Sequence, residues 1–595
     1  MLYCAILMPR LPHTAPQAQY RQVSLVNLLR PYTGIIALLV LLTLVASGMN
    51  LVVPKIIAAA IDTFTKGSFS MSGLVIEFAV VAGLIFIFTY LQNIVQVYAS
   101  ERVARDLRNS VSSKISLQSY AYIEHVSPAR LLTNLTSDID AVKSFVSQAI
   151  ASLISSVFLI IGASILLILI DWRLALAVLA VVPIIGITFY LILQKVRPLF
   201  TKSQEAIDWL NKVISESILG AGLIRLLNSQ APEYDKFIAA NTEAKDIGMK
   251  ILRLFSSLLP VITFCTNVAT LIILALGGHF IITGSMTLGS FTAFTSYLSI
   301  LIFPVLVIGF MSNVIAQATA SYARIAAVLD APGETQVGGI SSTLHGDIAV
   351  RDITVMFGDK VALKDVSFTS PAGTRTAIIG PTAAGKTQLL YMLTGLLAPT
   401  SGDIEFDGKN ITEYAKTSLH SQIGFVFQDS VMFNLSIREN IAFSNTVKDE
   451  QKNKAVELAI KTAELQDLIS GMPQGLDTIV SERGTSLSGG QKQRIMLARA
   501  LALNPKILLL DDFIARVDAQ TESKILKNIA ANYPGLTLIS VTQKISSIEH
   551  YDQIILLMEG EILARGTHDE LLKTSPEYVQ IFDSQRNTTQ YETQN

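Results

Sequence analysis

Long apolar stretches alternate with polar connections over the first half of the chain. A helix that crosses a lipid bilayer needs about 20 predominantly apolar residues. The stretches that meet this requirement are 34–53, 74–97, 145–170, 174–193, 254–282 and 288–311. No Asp, Glu, Lys or Arg occurs between Leu254 and Ala323, and a soluble core rarely contains such a run. The pattern therefore predicts an all-α transmembrane domain of six helices at about 33–328.

The connections between these spans differ in charge, which predicts their orientation. The second and fourth connections are long and rich in Lys and Arg, whereas the other three are short and nearly free of both. Cytoplasmic loops of membrane proteins carry an excess of these residues. Both long connections and both chain termini are therefore expected on the cytoplasmic side of the cell (inner) membrane. The long connections should continue the helices past the bilayer and reverse near 125–132 and 217–226.

Beyond residue 330 the pattern changes to short apolar strands separated by helical segments. Strands are expected at 349–357, 374–379, 424–427, 506–510, 537–541 and 553–559. This alternation is typical of a sheet covered by helices. The predicted fold class is a multi-domain membrane protein, with the six-helix transmembrane domain followed by an α/β domain. The expected divisions are a cytoplasmic lead-in at 1–32 with a short interfacial helix near 25–29, the transmembrane domain, a linker at 329–346, the α/β domain at 347–585 and a polar tail at 586–595.

Composition agrees with a membrane domain joined to a soluble one. Hydrophobic residues make up 50% of the 595 residues and charged residues only 16%. The net charge of −1 gives no indication of a nucleic-acid partner. The two cysteines, Cys4 and Cys265, are too few for a disulfide framework or a metal site. Residues 1–8 are apolar but lack the basic lead of a secretory signal, so no cleavage is expected.

One segment of the α/β domain fits the phosphate-binding pattern G-x-x-x-x-G-K-[ST], between a strand expected at 375–379 and a helix expected at 387–397. In such a loop, backbone N–H groups surround nucleotide phosphates, the lysine neutralises their charge, and the hydroxyl can ligate Mg²⁺. The pattern predicts a nucleotide site. The residues expected to contact the nucleotide are Gly380, Pro381, Thr382, Ala383, Ala384, Gly385, Lys386, Thr387 and Gln388.

Two further segments carry groups suited to nucleotide chemistry. A buried parallel strand is expected to end in Asp511 and Asp512, and the first carboxylate is placed to hold Mg²⁺. The sequence Leu-Ser-Gly-Gly-Gln precedes a helix, and a hydroxyl with N–H groups at a helix N-terminus forms a second anion site. One chain would thus present two phosphate-binding surfaces. The residues of the second surface are Ser488, Gly489, Gly490 and Gln491.

Leu-Ser-Gly-Gly-Gln between a phosphate loop and an Asp-ending strand resembles the signature motif of the ATP-binding cassette (ABC) transporters. The chain resembles a half-transporter of their type IV, exporter-fold class from about residue 20 to 580. Ile-Asp-Trp-Arg-Leu-Ala at 170–175 and Ser-Ile-Arg-Glu-Asn-Ile at 436–441 also match that class. The resemblance implies ATP and Mg²⁺ as cofactors. It also implies a second half-transporter subunit, with each ATP held between the phosphate loop of one chain and the signature motif of the other.

The resemblance assigns roles to further residues. Phe357 would stack on adenine, where the family more often has Tyr, because either ring offers a π-face. Gln428 would reach Mg²⁺ and the attacking water, and metal ligation falls to Thr387, Gln428 and Asp511. Glu482 would couple the cassette to the cytoplasmic loops. Asp518 ends a loop that spans the dimer, although residues 515–517 read Ala-Arg-Val where the family usually has Ser-Ala-Leu.

Two departures affect the site built on the chain's own phosphate loop. Asp512 stands where the family has the catalytic Glu. Because Asp is one methylene shorter, its carboxylate would lie about 1.5 Å from the position that polarises water. A misplacement of about 1 Å can lower the rate ~10²-fold. Gln543 stands where the family has a histidine that contacts the γ-phosphate, and an amide cannot become cationic. We interpret the chain as the degenerate-site subunit of a heterodimeric bacterial multidrug exporter.

The substrate is weakly constrained by the sequence. The spans are almost wholly apolar, which favours export of amphiphilic small molecules, lipids or peptides from surrounding membrane lipid. The few polar side chains at membrane depth would contact substrate or, more commonly, bond neighbouring helices. Two alternatives stay open: an importer of metal chelates with the same fold, and a regulatory ATP-binding subunit that hydrolyses nothing at its own site. The polar residues in question are Asn50, Glu77, Gln92, Asn93, Gln96, Asn267 and His279.

Overall fold

The structure, a computed structural model, describes residues 25–67, 70–333, 338–358, 360–443, 449–480, 484 and 487–594. The described chain forms two compact units. The membrane unit comprises the residues up to Leu117 together with Val126–Pro332, and the second unit comprises Gln118–His125 and the chain from Gly333 onward. The predicted lead-in therefore lies outside the described residues as far as residue 24. The short helix expected near 25–29 is seen at Leu25–Leu29.

Within the described residues, the membrane unit contains six helices that are long and apolar enough to cross a bilayer, and each encloses one of the predicted stretches. The prediction of six spans is confirmed. Numbered in chain order, spans 1 to 6 are Asn27–Thr65, Met71–Ser116, Pro128–Ile170, Trp172–Leu219, Gln230–Ile282 and Leu288–Asp330. Their regular helical segments are Thr33–Thr65, Met71–Ser116, Pro128–Thr133, Ile139–Ser144, Ile150–Ile170, Trp172–Leu179, Val181–Leu219, Gln230–Ser256, Leu258–Ile272, Gly278–Ile282 and Leu288–Asp330, joined in part by π-helical turns at Asn134–Asp138, Phe145–Ala149 and Ile273–Gly277.

The spans extend well beyond their apolar stretches, as the charged connections predict. The second long connection reverses around the short helix Ala221–Leu226, where it was expected. The first reversal occurs earlier than the expected 125–132, because a new helix already begins at Pro128. Ser127 has a positive φ of 73°, and its hydroxyl accepts a hydrogen bond from the Arg130 N–H. This N-cap, with Pro at the first helical position, starts the helix there.

Spans 1 and 6 are joined by two polar contacts. Pro54 lies within the helix Thr33–Thr65 of span 1 and has no N–H to donate to the carbonyl one turn earlier. The buried Tyr297 hydroxyl donates to the Leu51 carbonyl at 2.8 Å, in the turn before this proline. At the other end of the pair, the Asp62 carboxylate accepts from the Thr287 hydroxyl and the Gly289 N–H, both at 2.8 Å, and so caps the start of span 6.

Span 2 is the least covered element of the membrane unit. None of the residues in its most apolar 18-residue window is buried within the chain, whereas a third of the corresponding window of span 1 is buried. Large apolar side chains such as Ile76, Phe86 and Tyr90 are exposed along it. An exposed apolar surface of this extent marks lipid or another protein chain.

The second unit contains two sheets. Strands β1 to β10 are Ile348–Phe357, Lys360–Ser370, Arg375–Ile379, Ser401–Phe406, Lys409–Asn410, Ile423–Val426, Ile507–Asp511, Thr537–Val541, Gln553–Met558 and Glu561–Gly566. The antiparallel sheet has the order β2-β1-β4-β5, and the larger sheet has the order β10-β9-β3-β8-β7-β6, parallel except for β10. The helices of this unit are Tyr120–Val126, Lys386–Leu393, Lys416–His420, Ile437–Ile441, Asp449–Thr462, Gln466–Ser470, Gly489–Leu501, Ala519–Asn532, His568–Thr574 and Pro576–Gln594.

The predicted α/β class is confirmed, and the six expected strands all occur, with their bounds moved by one residue or none. The strands that were not predicted are β2, β4, β5 and β10. These strands pair antiparallel and keep exposed positions along their length, so they lack the continuous buried run of the parallel strands. The helix expected at 387–397 ends at Leu393, because Gly395 takes a left-handed conformation with φ 72°.

The larger sheet positions the candidate site. Strand β3 pairs in parallel with β8, and β8 pairs in parallel with β7. Their carboxyl ends therefore meet at one edge, where ligands of open α/β sheets bind. The phosphate loop follows β3, Asp511 ends β7, and Thr542 and Gln543 follow β8.

Candidate nucleotide-binding site

The backbone of the phosphate loop has positive φ angles and close contacts that favour glycine. Gly380, Ala383 and Gly385 have φ of 152°, 67° and 95°. A Cβ at Gly380 would lie 1.9 Å from the Leu557 carbonyl oxygen, and one at Gly385 would lie 2.7 Å from the Ala362 carbonyl oxygen. Neither position has room for a side chain. The loop thus turns tightly into the helix that begins at Lys386, a geometry suited to backbone contact with phosphates.

Lys386 lies folded back over this loop. Its ammonium donates to the carbonyl oxygens of Gly380 at 2.8 Å and Pro381 at 2.7 Å. The residue is 8% exposed, and burial lowers the pKa of the ammonium, against the opposite effect of the Asp512 and Asp511 carboxylates. A cation held in this position is available to the phosphates of a nucleotide entering the loop.

Asp511 and Thr387 together offer oxygen ligands suited to Mg²⁺. The Thr387 hydroxyl donates to Asp511 Oδ1 at 3.2 Å. Asp511 is 1% exposed, and its second oxygen, Oδ2, makes no hydrogen bond with any described residue. Burial raises the pKa of this carboxyl to about 6. A buried carboxylate oxygen without a partner, next to a hydroxyl, fits a hard divalent cation.

The main chain of Gln428 is anchored by a hydrogen bond to the side chain of Gln493. Its carbonyl oxygen accepts from Gln493 Nε2 at 3.1 Å, and its side chain is exposed. The backbone is therefore anchored while the amide is open to solvent. A role of Gln428 toward Mg²⁺ stays a prediction.

Asp512 and Gln543 lie on neighbouring strand ends. The Asp512 N–H donates to the Val541 carbonyl at 3.0 Å, and Asp512 has a φ of 45°. Burial raises the pKa of the Asp512 carboxyl above its ordinary range, and the nearby cations Lys386, Lys544 and Arg516 act in the opposite direction. The Gln543 side chain is exposed. The two departures from the family pattern therefore occur at one edge of the sheet, beside the phosphate loop.

The signature motif lies at the start of a 13-residue helix, Gly489–Leu501. Ser488 and Gln491 form a capping box: the Ser488 N–H donates to Gln491 Oε1 at 2.8 Å, and the Gln491 N–H donates to Ser488 Oγ at 3.3 Å. The cavity in front of this helix shares no lining residue with the phosphate loop. Within one chain, the structure does not bring the two anion-binding segments together.

The other sequence-predicted residues have clear positions. Phe357 ends β1 with 41% of its surface exposed, and Gln388 lies in the first turn of the helix after the phosphate loop. Asp518 is the N-cap of helix Ala519–Asn532, and its carboxylate accepts from the Thr521 N–H at 2.9 Å. This hydrogen bond holds the pKa of Asp518 below its ordinary value. Glu482 lies outside the described residues.

Sequence reasoning missed Gln585, which braces the loop that carries Gln543. Its Nε2 donates to the Gln543 carbonyl at 2.6 Å, and its Oε1 accepts from the Ile545 N–H at 2.9 Å. One amide thus fixes the backbone at two points of this loop. The sequence offered no signal, because Gln585 is one of many polar residues in the final helix, Pro576–Gln594, and lies more than 40 positions from Gln543.

A second contact links Gln118–His125 to the helix after the phosphate loop. The Tyr120 ring packs edge-on against Tyr391, with ring centroids 5.5 Å apart, and Tyr391 also contacts Phe425 and Phe427. Tyr391 lies on the helix that begins with Lys386. The first long connection therefore contacts the element that carries the phosphate-binding side chains.

We expect Gln585→Leu to shorten the residence time of ATP on the full chain by about 3- to 10-fold, because the loop loses two hydrogen bonds, each worth ~1 kcal/mol. A fluorescent ATP analogue, released by excess ATP, measures the dissociation rate. Gln580→Leu is the matched control, since Gln580 is exposed on the same helix. Equal dissociation rates for the Gln585→Leu variant and the unmodified chain, at unchanged thermal stability, would show that the brace has no role.

Comparison with known proteins gives matches over both halves of the chain. The family model for the ABC transporter transmembrane region matches residues 36–305, and the ABC transporter model matches residues 363–515. The uncharacterized ABC transporter ATP-binding protein YfiB of Bacillus subtilis is 32% identical over 94% of this chain and 98% of its own. The multidrug resistance-like ATP-binding protein MdlA of Escherichia coli is 30% identical over 94% of each chain.

Two further matches bear on transport. The ATP-dependent lipid A-core flippase of Syntrophus aciditrophicus is 29% identical, over 84% of this chain and 83% of its own. A solved structure of a bacterial Atm1-family ABC exporter with ATP bound superposes with a TM-score of 0.77 and 25% identity, over 94% of this chain and 98% of that one. The described fold and the similar proteins therefore agree over nearly the whole length.

Proposed function

The chain belongs to the ABC transporter family, and from this premise we propose that it is one half of a heterodimeric exporter of amphiphilic compounds, with a slow nucleotide site of its own. It is a multi-pass membrane protein whose ATP-hydrolysing domain drives exporter-type transport. The heterodimer, the unequal sites and the class of substrate are the proposal.

One observation carries this proposal: Asp512 and Gln543 lie together beside the chain's own phosphate loop, while the signature motif is complete. A shortened carboxylate and an amide both weaken activation of water at that site. The complete Ser488–Gln491 cap would serve a nucleotide held by another chain. The chain is thus suited to retain ATP at its own site and to complete a faster site on a partner.

Two structural features support a second subunit. The cavity at the signature motif shares no lining residue with the phosphate loop, so one chain alone does not enclose a nucleotide from both sides. Span 2 is uncovered along its most apolar window, which leaves apolar surface for another chain as well as for lipid. The test is a comparison of ATP hydrolysis by the purified chain alone and by its complex with the second half-transporter.

In the proposed resting site, the residues of this chain bind and orient ATP. The phosphate loop and Lys386 hold the phosphates, and Phe357 stacks on the base. Thr387 and Asp511 would hold Mg²⁺, with Gln428 as a further predicted ligand, and the ion would neutralise charge on the phosphates. Asp512 and Gln543 face the terminal phosphate without positioning water well, so ATP stays bound and the cassettes stay closed.

Amphiphilic cargo fits both the similar proteins and the membrane unit. MdlA is named as multidrug resistance-like, and the Syntrophus protein as a lipid A-core flippase. Of the polar residues at membrane depth, Gln96 donates to the Ser147 carbonyl and Asn50 to the Ala46 carbonyl, so these two stabilise helices. Of the others, the exposed residues within the single chain are the candidates for contact with substrate, namely Glu77, Asn93, Asn267 and His279.

We propose that both termini and both long connections are cytoplasmic, because Lys and Arg concentrate there. In a chain without native cysteines, Lys66→Cys should react with a membrane-impermeant thiol reagent in intact cells. Leu227→Cys, on the second long connection, should react only after the cells are permeabilised. Both side chains are exposed, so accessibility within the chain is matched. Labelling of Leu227→Cys in intact cells, without labelling of Lys66→Cys, would reverse the topology.

A further inference from the structure

The helix Gly489–Leu501, which begins with the signature motif and is called the signature helix below, opens onto a cavity of about 510 Å³. The cavity contains more positive charge than the N-terminus of this helix alone provides. Residues 488–491 form one wall, and Arg494, Arg516 and Asp518 line the rest. Two guanidinium groups and one carboxylate leave the cavity with a net positive charge. The N-terminus of a 13-residue helix adds to it, so the cavity favours an anion.

Arg516 is held against the two glycines of the signature motif. A Cβ at Gly489 would lie 3.2 Å from Arg516 Cδ, and a Cβ at Gly490 would lie 2.6 Å from the Arg516 carbonyl oxygen. The aliphatic stem of the arginine therefore lies beside the start of the helix. Its guanidinium begins one bond beyond Cδ, at the mouth of the cavity.

The other charged groups of the cavity already have partners. Arg494 donates from NH1 to the Glu464 carbonyl at 2.5 Å, and the Asp518 carboxylate accepts from the Thr521 N–H at 2.9 Å. Arg516 is exposed and makes no hydrogen bond or ion pair within the part of the chain that the structure describes, and its charge acts at longer range on the Asp512 carboxylate. Its five N–H donors are thus available to a ligand with several oxygen atoms.

We propose that Arg516 binds the terminal phosphate of an ATP molecule held by the phosphate loop of the partner subunit. The inference rests on the proposed function, in which this signature motif completes the partner's site. A planar guanidinium suits phosphate because it can donate two parallel hydrogen bonds, and a fixed cation stabilises charge that develops on a transferring phosphoryl group. The family usually has alanine at this position, so the chain adds a cation that alanine cannot supply.

Arg516→Met in the assembled transporter tests this role, because Met keeps an unbranched stem beside Gly489 and removes the charge. We expect kcat/KM for MgATP to fall by about 10- to 100-fold, the range for loss of hydrogen bonds to a charged group. Arg516→Lys should recover kcat/KM to within about 5-fold of the unmodified protein, since it restores the charge without the planar fork. Inhibition by ADP, which lacks the terminal phosphate, should change by less than about 2-fold.

Lys524→Met is the matched control, since Lys524 is an exposed cation on the helix that follows Asp518 and does not line the cavity. Its kcat/KM should match the unmodified protein. Equal weakening of ATP and ADP without recovery in Arg516→Lys would overturn the proposal and make Arg516 a spacer beside the glycines. If Arg516→Met does not assemble, Arg516→Gln replaces it, and activity equal to that of Arg516→Lys would overturn the proposal.

Ser488→Arg, measured in the same series, separates this proposal from the function on which it rests. Unchanged turnover in Arg516→Met together with lost turnover in Ser488→Arg would reject the role of Arg516 and leave the composite site in place. Unchanged turnover in both variants would reject the composite site itself.

Discussion

Ser488→Arg should abolish nearly all ATP hydrolysis by the assembled transporter, whereas Asp512→Asn should leave most of it. Ser488 caps the signature helix and faces the cavity in front of it. An arginine there breaks the capping box and fills the space that a partner-bound phosphate needs. Loss of one preorganised phosphate-binding group costs about 10²- to 10³-fold in kcat. We expect a loss in this range although every residue of the chain's own phosphate loop is unchanged.

In the proposed function, Asp512→Asn alters a carboxylate that is already too short to position water, so we expect little loss of transition-state stabilisation. The expected change in steady-state ATPase activity is about 3-fold or less. Phosphate release by the purified complex, at saturating MgATP, ranks the two variants. Ser523→Arg is the control for a new arginine, because Ser523 is exposed on helix Ala519–Asn532. If Asp512→Asn were as inactive as Ser488→Arg, Asp512 would be a working catalytic base and the unequal sites would be refuted.

The purified chain alone should hydrolyse ATP at least about 10²-fold more slowly than its complex with the partner. Two copies of this chain would pair two weakened sites, each with Asp512 and Gln543 beside the phosphate loop. A catalytic group displaced by about 1 Å can by itself lower the rate ~10²-fold, and loss of general base catalysis costs a similar factor. Verified homodimers that turn over rapidly would contradict the heterodimer.

The paired substitution Asp512→Glu and Gln543→His provides the converse test. It restores the longer carboxylate and a side chain that can be cationic, on strand ends that the fold already holds side by side. We expect it to raise turnover by the chain alone by about 10-fold or more, with either single substitution giving less. Lys524→Met in the same background should not change the rate. No gain from the pair, in a protein that dimerises and binds ATP, would place the defect elsewhere.

Local sequence patterns predicted most of the fold. A span is a long apolar run, and a parallel strand is a short one, so all six spans and the six expected strands were found. The strand bounds were nearly correct, whereas the helices of the spans continue well beyond the apolar runs. Strands β2 and β10 were missed because each keeps exposed positions along its length, so neither has the continuous buried run of a parallel strand. The first reversal was displaced because its position depends on one backbone conformation, the positive φ of Ser127.

The candidate site likewise has residues that local sequence patterns predict and residues that only the structure reveals. The phosphate loop, the signature motif and the two carboxylates are short contiguous patterns, because each must present several groups from one turn of backbone. Their roles stay predictions, but their positions could be expected from sequence. The roles of Gln585 and Arg516 could not be found in this way. Arg516 departs from the family pattern, but its place beside Gly489, like the contact of Gln585 with the loop after β8, is set by the fold.

The amino-acid sequence by itself thus determined the two-part organisation, the spans, the central strands and the positions of the segments predicted to bind phosphate, since each is specified by residues close together in the chain. Only the tertiary structure decided which segments meet. It placed Asp512 and Gln543 on adjoining strand ends beside Lys386, joined Gln585 to the loop after β8, and seated Arg516 against Gly489. It also kept the signature motif apart from the phosphate loop of the same chain. These contacts depend on strand order and on the paths of the loops. Packing over the whole domain sets both, and no short stretch of sequence specifies them.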